Sequence, residues 1–182
     1  MLYFAYGSNM LTARLRSRCP GAEPMGRATL AHHRVRFAKR GMDGSGKATV
    51  LYHQGAVTHG IVYDIPDEEI QWLDAAEGLG KGYGKSDFKV GTSAGLRTAF
   101  TYRATTPESG LLPFDWYLAL ILAACREHDL PADVLGWYQA HAFATDTEAE
   151  RPGRTQAIET LESSDALDWA SAAIGAVGLL LD

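Results

Sequence analysis

The sequence predicts an α+β fold, and three observations carry the expectation. Short runs of strand formers, separated by turns rich in glycine, occupy most of the first hundred residues. After Pro113 the period changes, and apolar residues recur at helical spacing. At 182 residues, 46% apolar and 21% charged, the chain is long enough for one well-buried core and ordinary enough in composition to be globular.

The opening strand, Leu2 to Phe4, runs without a polar buffer into Tyr6-Gly7-Ser8-Asn9-Met10. Such a strand end presents backbone N–H groups that suit a carboxylate or an oxyanion, although serine and asparagine are equally good helix caps. Leu11 to Arg16 reads as one or two helical turns, stopped by Cys19-Pro20-Gly21. Met25 to Arg40 has a strand pattern carrying Leu30, Val35 and Phe37, with the adjacent His32 and His33 expected on opposite sides of it. Gly41 to Gly46 is a loop. Ala48 to Tyr52 and Gly60 to Ile65 read as two strands joined by a turn containing Gly55.

At Pro66 an acidic first turn opens a helix in which Ile70 and Leu73 lie three apart, and Gly78 ends it. The run Gly78 to Ser86 has the glycines but not the spacing of a phosphate loop. A P-loop ending at Gly84-Lys85-Ser86 needs glycine where Leu79 stands, and a strand pattern, Phe88 to Val90, follows where a helix is required. Leu96 to Arg103 is a further strand and Thr105 to Gly110 a loop. Pro113 opens a strongly apolar helix, Phe114 to about His128, with Tyr117, Leu120, Ile121 and Ala124 at core spacing. Asp133 to Phe143 reads as another, carrying Val134, Leu135 and Tyr138. The polar stretch Ala144 to Arg154 marks a boundary, so residues 1–146 are expected to form the main domain and 147–182 a helical C-terminal extension holding Ile158, Leu161, Trp169, Ile174 and Leu181.

Several functional classes are set aside by composition. A formal net charge of -5 with no clustered lysine or arginine run argues against nucleic acid as a partner. The apolar stretch Ala170 to Leu181 is too short to span a bilayer, and the first strand lacks the basic flank of a signal peptide. Only Cys19 and Cys125 are present, which fits a reducing, cytoplasmic setting. The six histidines and two cysteines form no metal-ligand spacing, and no GxSxG surrounds Ser8, so neither a metal nor a serine nucleophile is expected.

Glu77 is the acid that stands out. It is the last residue before Gly78, and its helical neighbours Leu73 and Ile70 are apolar, which puts it on the buried face, whereas Glu68, Glu69 and Asp74 are expected to point to water. A carboxylate there loses solvation and gains affinity for protons, the property of a general acid/base. A structural tie to a backbone N–H or to Lys81 accounts for the same position.

Together, FAYGSNM, the LDAAEG helix end with Tyr83 six residues later, and the Pro113/Tyr117 helix running to Leu130-Pro131 resemble the gamma-glutamylcyclotransferase family, over Met1 to Phe143. The resemblance implies a small mixed β-barrel flanked by helices. It implies that Tyr6, Gly7, Ser8, Asn9 and Met10 bind the glutamyl group, that Glu77 is the acid/base, that Tyr83 and Tyr117 line the pocket, and that no cofactor takes part. The implied substrate is a small gamma-glutamyl amide, cyclised to 5-oxoproline with release of the amine. The glutathione-specific branch has YGSL where this chain has Asn9, which points away from that substrate. Two other readings stay open: a non-catalytic binder of gamma-glutamyl or amino-acid ligands, and an acyltransferase on the same fold. A homodimer through the apolar C-terminal segment also stays open.

Overall fold

A computed structural model describes residues 1–175. Five strands close into a barrel in the order β1-β3-β2-β4-β5: β1 Leu2–Ala5, β2 Glu23–Arg40, β3 Gly46–Asp64, β4 Tyr83–Thr92 and β5 Gly95–Ala104. β1 pairs antiparallel with β3 (Leu2 opposite Asp64) and parallel with β5 (Tyr3 opposite Phe100). The other pairs are antiparallel, so the barrel is mixed. Closure leaves no free sheet edge. Both faces of its sheet are buried, Ile61, Tyr63 and Phe100 on one and Phe4 on the other.

The two strands expected on either side of Gly55 are one strand of 19 residues. Its partner β2 is almost as long, and the ladder absorbs the glycine as a bulge: Ala31 faces Val57, but His33 faces Tyr52. Across from that excursion His32 takes a left-handed φ of 57°, and its Nδ1 accepts the Gly55 N–H at 3.1 Å. The irregularity breaks the alternation that was to separate the two histidines. Both rings lie around Tyr52, with centroids at 6.5 and 5.9 Å.

Helices flank the barrel: α1 Thr12–Arg16, α2 Ile70–Glu77, α3 Asp115–Glu127, α4 Ala132–Gln139, α5 Pro152–Ser163 and α6 Leu167–Ile174. Every α3 residue from Asp115 to Cys125 is buried. A helix apolar all round is a central one, and α3 packs on α4, α5, α6 and the turn at Ser8–Met10. The polar stretch before α5 is pinned down by Asp146, which accepts hydrogen bonds from Trp116 Nε1 at 2.8 Å and Arg151 Nε at 2.7 Å. Ala157, Leu161, Ala170 and Ile174 then join the same core. Leu181, expected within the last helix, lies outside the described residues. Among the described residues no helix is long and apolar enough to cross a membrane.

Candidate active site

The rim of the barrel is shaped by the turn that follows β1. Gly7 leads into a single 3₁₀ turn, Ser8–Met10, closed by Met10 N–H to Gly7 C=O at 2.9 Å and Leu11 N–H to Ser8 C=O at 3.3 Å. The N–H groups of Ser8 and Asn9 therefore stay outside the turn's own bonding. Gly7 has an ordinary φ of -125°, so no left-handed conformation demands glycine. Space demands it. A Cβ there would meet Ala48 Cβ at 3.1 Å and the Tyr117 hydroxyl at 3.3 Å.

Opposite the turn, α2 ends where Gly78 takes a left-handed conformation (φ 67°, ψ 50°), with its N–H on Ala75 C=O and that of Leu79 on Asp74 C=O. This stop aims Glu77 back at the turn. Asn9 Nδ2 donates to Glu77 Oε1 at 2.9 Å, and Arg18 Nη1 donates both to Asn9 Oδ1 at 2.8 Å and to Glu77 Oε1 at 2.6 Å. Among the described residues no protein hydrogen bond reaches the other oxygen, Oε2. Glu77 is thus neither tied to Lys81 nor simply desolvated, because an arginine shares its site, at side-chain exposures of 17% and 15% for Arg18 and Glu77. Charge-assisted bonds of this kind hold a carboxylate in one orientation.

Two neighbouring acids do not point to water as the helical pattern suggested. Glu69 is buried and accepts the Gly21 N–H with both oxygens, at 3.1 and 3.0 Å. Asp74 accepts from the Tyr102 hydroxyl at 2.5 Å and pairs with Lys85 at 2.7 Å. Glu69 clamps the loop at Gly21 and Asp74 the strands β4 and β5, segments whose approach to α2 is tertiary and invisible to helical periodicity.

Between the turn and Glu77 lies a narrow cavity of about 30 Å³, room for one small polar group. Tyr6, Gly7, Ser8, Asn9, Glu77, Tyr83 and Tyr117 all line it; Tyr3, Ala48 and Tyr102 complete its wall. Met10 does not reach it. Its side chain is fully buried, and its carbonyl accepts from the Tyr63 hydroxyl at 2.7 Å. Ala48 acts as a hinge for the tyrosines: its C=O accepts from Tyr83 OH at 2.6 Å and its N–H donates to Tyr117 OH at 3.1 Å. Tyr6 donates its hydroxyl to Tyr102 C=O. Burial first, and the Glu77 charge as a lesser cause, hold all five tyrosines (3, 6, 83, 102 and 117) well toward the protonated form. They serve as neutral dipoles there.

A broader basin of about 460 Å³ shares Ser8, Glu77, Tyr83 and Tyr117 with the cavity and adds Arg14, Arg18, Lys39 and Lys47. None of these cations was singled out from the sequence. The one signal was the spacing of Arg14 and Arg18, one helical turn apart and so on one side of the chain. Tyr3, Ala48 and Tyr102 carry no local signal, because strand register alone brings them here. Among the described residues no three histidine, cysteine or acidic side chains group as metal ligands.

Such a barrel rim joins a glycine-tight turn to one oriented carboxylate in a pocket of neutral hydroxyls, a place for a small polar molecule. The comparisons with known proteins give the family. The family model described as "Gamma-glutamyl cyclotransferase, AIG2-like" matches residues 3–117. Human gamma-glutamylcyclotransferase is 32% identical over 143 residues, covering 72% of this chain and 73% of the human one. The mouse gamma-glutamylcyclotransferase is 33% identical over 139 residues, with 72% and 73% covered. A solved gamma-glutamyl cyclotransferase structure superimposes with a TM-score of 0.80 at 27% identity, over 91% of this chain and 98% of that one. The chain belongs to the gamma-glutamyl cyclotransferase, AIG2-like family of enzymes.

Proposed function

We propose that this enzyme cyclises a gamma-glutamyl amide to 5-oxoproline and releases the attached amine, with Glu77 as its acid/base. The observation that carries the reading is the placement of Glu77 across the cavity from Ser8 and Asn9, with Oε1 held by Asn9 and Arg18 and Oε2 without a protein partner.

In the proposed reaction Glu77 Oε2 takes a proton from the substrate's α-ammonium group, and the freed amine attacks the γ-carbonyl carbon. The new C–N bond closes a five-membered ring, and the carbonyl electrons move onto oxygen. Backbone N–H groups of the Ser8 and Asn9 turn face that developing charge, a contribution of about 3 kcal/mol for a well-aimed donor. The oxyanion then collapses, the old C–N bond breaks, and Glu77 gives its proton to the departing nitrogen and takes the second proton from the ring nitrogen, which passes on to the released amine as it leaves as an ammonium ion. Charge and atoms balance without a covalent enzyme intermediate. Folding the glutamyl chain so that amine and carbonyl meet supplies the other large gain. Tyr6, Gly7, Ser8, Asn9, Tyr83 and Tyr117 shape that fold, and Met10 supports the turn from the core. These residues all lie within 1–146, and the described part of the proposed extension packs on α3 through α5 and α6, with Arg151, Pro152 and Gly153 at the outer basin. The buried free thiols of Cys19 and Cys125 support a cytoplasmic setting.

The test is to incubate the protein with a panel of gamma-glutamyl amino acids and gamma-glutamyl amines. Equimolar 5-oxoproline and free amine are expected from at least one. Tight binding without turnover would instead mean a binding module, and a new gamma-glutamyl amide would mean an acyltransferase.

A further inference from the structure

The outer basin carries more positive charge than its own acids neutralise. Three of its cations are paired: Arg18 with Glu77 at 2.6 Å, Lys47 with Asp43 at 2.7 Å, and Arg151 with Asp146 at 2.7 Å. Arg14 and Lys39 are not. Arg14 is only 7% exposed, and its Nε donates to Ser8 Oγ at 3.1 Å, but its buried Nη1 finds no acceptor. Burial, and then the neighbouring Arg18 charge, disfavour its charged form. Lys39 lies with Nζ 5.0 Å above the Tyr83 ring, and among the described residues no carboxylate pairs with it. The two are close enough for their charges to help lower the proton affinity of Lys47, after burial as the main cause. A buried guanidinium N–H without an acceptor is rare in folded proteins and calls for an explanation. A bound anion supplies one.

The position of Arg14 says which part of a substrate that anion belongs to. Arg14 lines the basin and not the inner cavity, and it touches Ser8, which lines both. With the reacting end of the glutamyl group at the cavity, beside Glu77 and Ser8 that line both spaces, the group beside Arg14 is the departing amine. We propose that Arg14 and Lys39 read negative charge on the leaving group, so that among gamma-glutamyl amino acids the preferred substrates are those whose released amino acid has an acidic side chain. This rests on the cyclisation proposed above. Arg14 offers a carboxylate a directional, charge-assisted bond, and Lys39 offers a second carboxylate a point charge nearer the solvent.

The experiment compares kcat/KM for 5-oxoproline release from gamma-glutamyl-glutamate, gamma-glutamyl-alanine and gamma-glutamyl-alaninamide with the wild-type chain. The expected order is the one given, with roughly a tenfold step between alanine and its amide, the worth of one partly buried charge-assisted bond. Arg14→Gln collapses the alanine-to-amide ratio, and Arg14→Lys restores part of it. Lys39→Met, at a half-buried position outside the core, removes only the advantage of the glutamate substrate. A flat or reversed order in the wild-type chain, with 5-oxoproline still released, overturns the anion-reading role and leaves the cyclisation standing. Release of no 5-oxoproline from any of the three, while a gamma-glutamyl amine of the panel above is turned over, overturns this inference alone; release from no substrate of either set overturns the cyclisation with it.

Discussion

The inner cavity and the outer basin are adjacent, share four residues, and follow opposite electrostatic plans. In the cavity the polar groups of the wall answer one another: Tyr83 and Tyr117 meet the backbone of Ala48, Tyr6 meets the carbonyl of Tyr102, and Asn9 and Arg18 meet one oxygen of Glu77. In the basin Arg14 and Lys39 carry charge that no protein acid meets among the described residues. The contrast fits a division of labour. A wall whose side chains are largely bonded to one another holds its shape and leaves Glu77 Oε2 open, as the proposed chemistry requires, whereas unmatched charge waits for a ligand, as the proposed selection among substrates requires.

Alkali separates the two regions most strongly. The buried tyrosines of the cavity hold their protons above the ordinary value of 10.0. Above pH 10 the unfolded chain therefore loses protons that the folded chain keeps, and stability falls as pH rises. Each such tyrosine contributes a slope of about 1.4 kcal/mol per pH unit. Thermal melts should show a steep loss above pH 10, and a Tyr83→Phe variant should show a shallower one.

Gly7→Ala is expected to act next most strongly. The added methyl meets Ala48 and the Tyr117 hydroxyl, so it narrows the cavity and spares the basin. Steady-state kinetics should show KM for a gamma-glutamyl substrate raised on the order of 10- to 100-fold, the worth of about one to two misplaced contacts. Unchanged KM would dissolve the distinction between a rigid cavity and an adaptable basin.

Lys47 gives a smaller effect of opposite sign. Burial pushes its ammonium down to about 8 from the ordinary 10.5. Between those values the unfolded chain binds the extra proton, so this group makes stability rise with pH from about 8 toward 10. The gain is on the order of 1–3 kcal/mol, and Lys47→Met should lack it. Melting temperatures at pH 7.5 and 9.5 for both proteins would show the contrast directly.

Legibility in the sequence followed the range of the interactions involved. The turn from Tyr6 to Asn9 and the Glu77-Gly78 helix end were readable because turn chemistry, capping and helical periodicity act within a few residues. The residues that complete the site were not. Arg18 reaches Glu77 across 59 positions, and Tyr102 joins the wall only because β5 lies beside β1. The single long β3 was obscured for the same reason: Gly55 reads locally as a turn, and only the facing β2 converts it into a bulge. Met10 shows the opposite case, a residue next to the site in sequence that the fold turns into the core.

In the proposed reaction Glu77 moves the protons and the rest of the cavity holds the substrate still. Glu77→Gln keeps the size of the side chain and its bonds to Asn9 and Arg18 in part, but it cannot accept the α-ammonium proton. Binding of a gamma-glutamyl amino acid should be measured by calorimetry alongside 5-oxoproline release. The variant is expected still to bind while release falls roughly 10²- to 10⁴-fold; release at the wild-type rate would contradict a proton-moving role for Glu77.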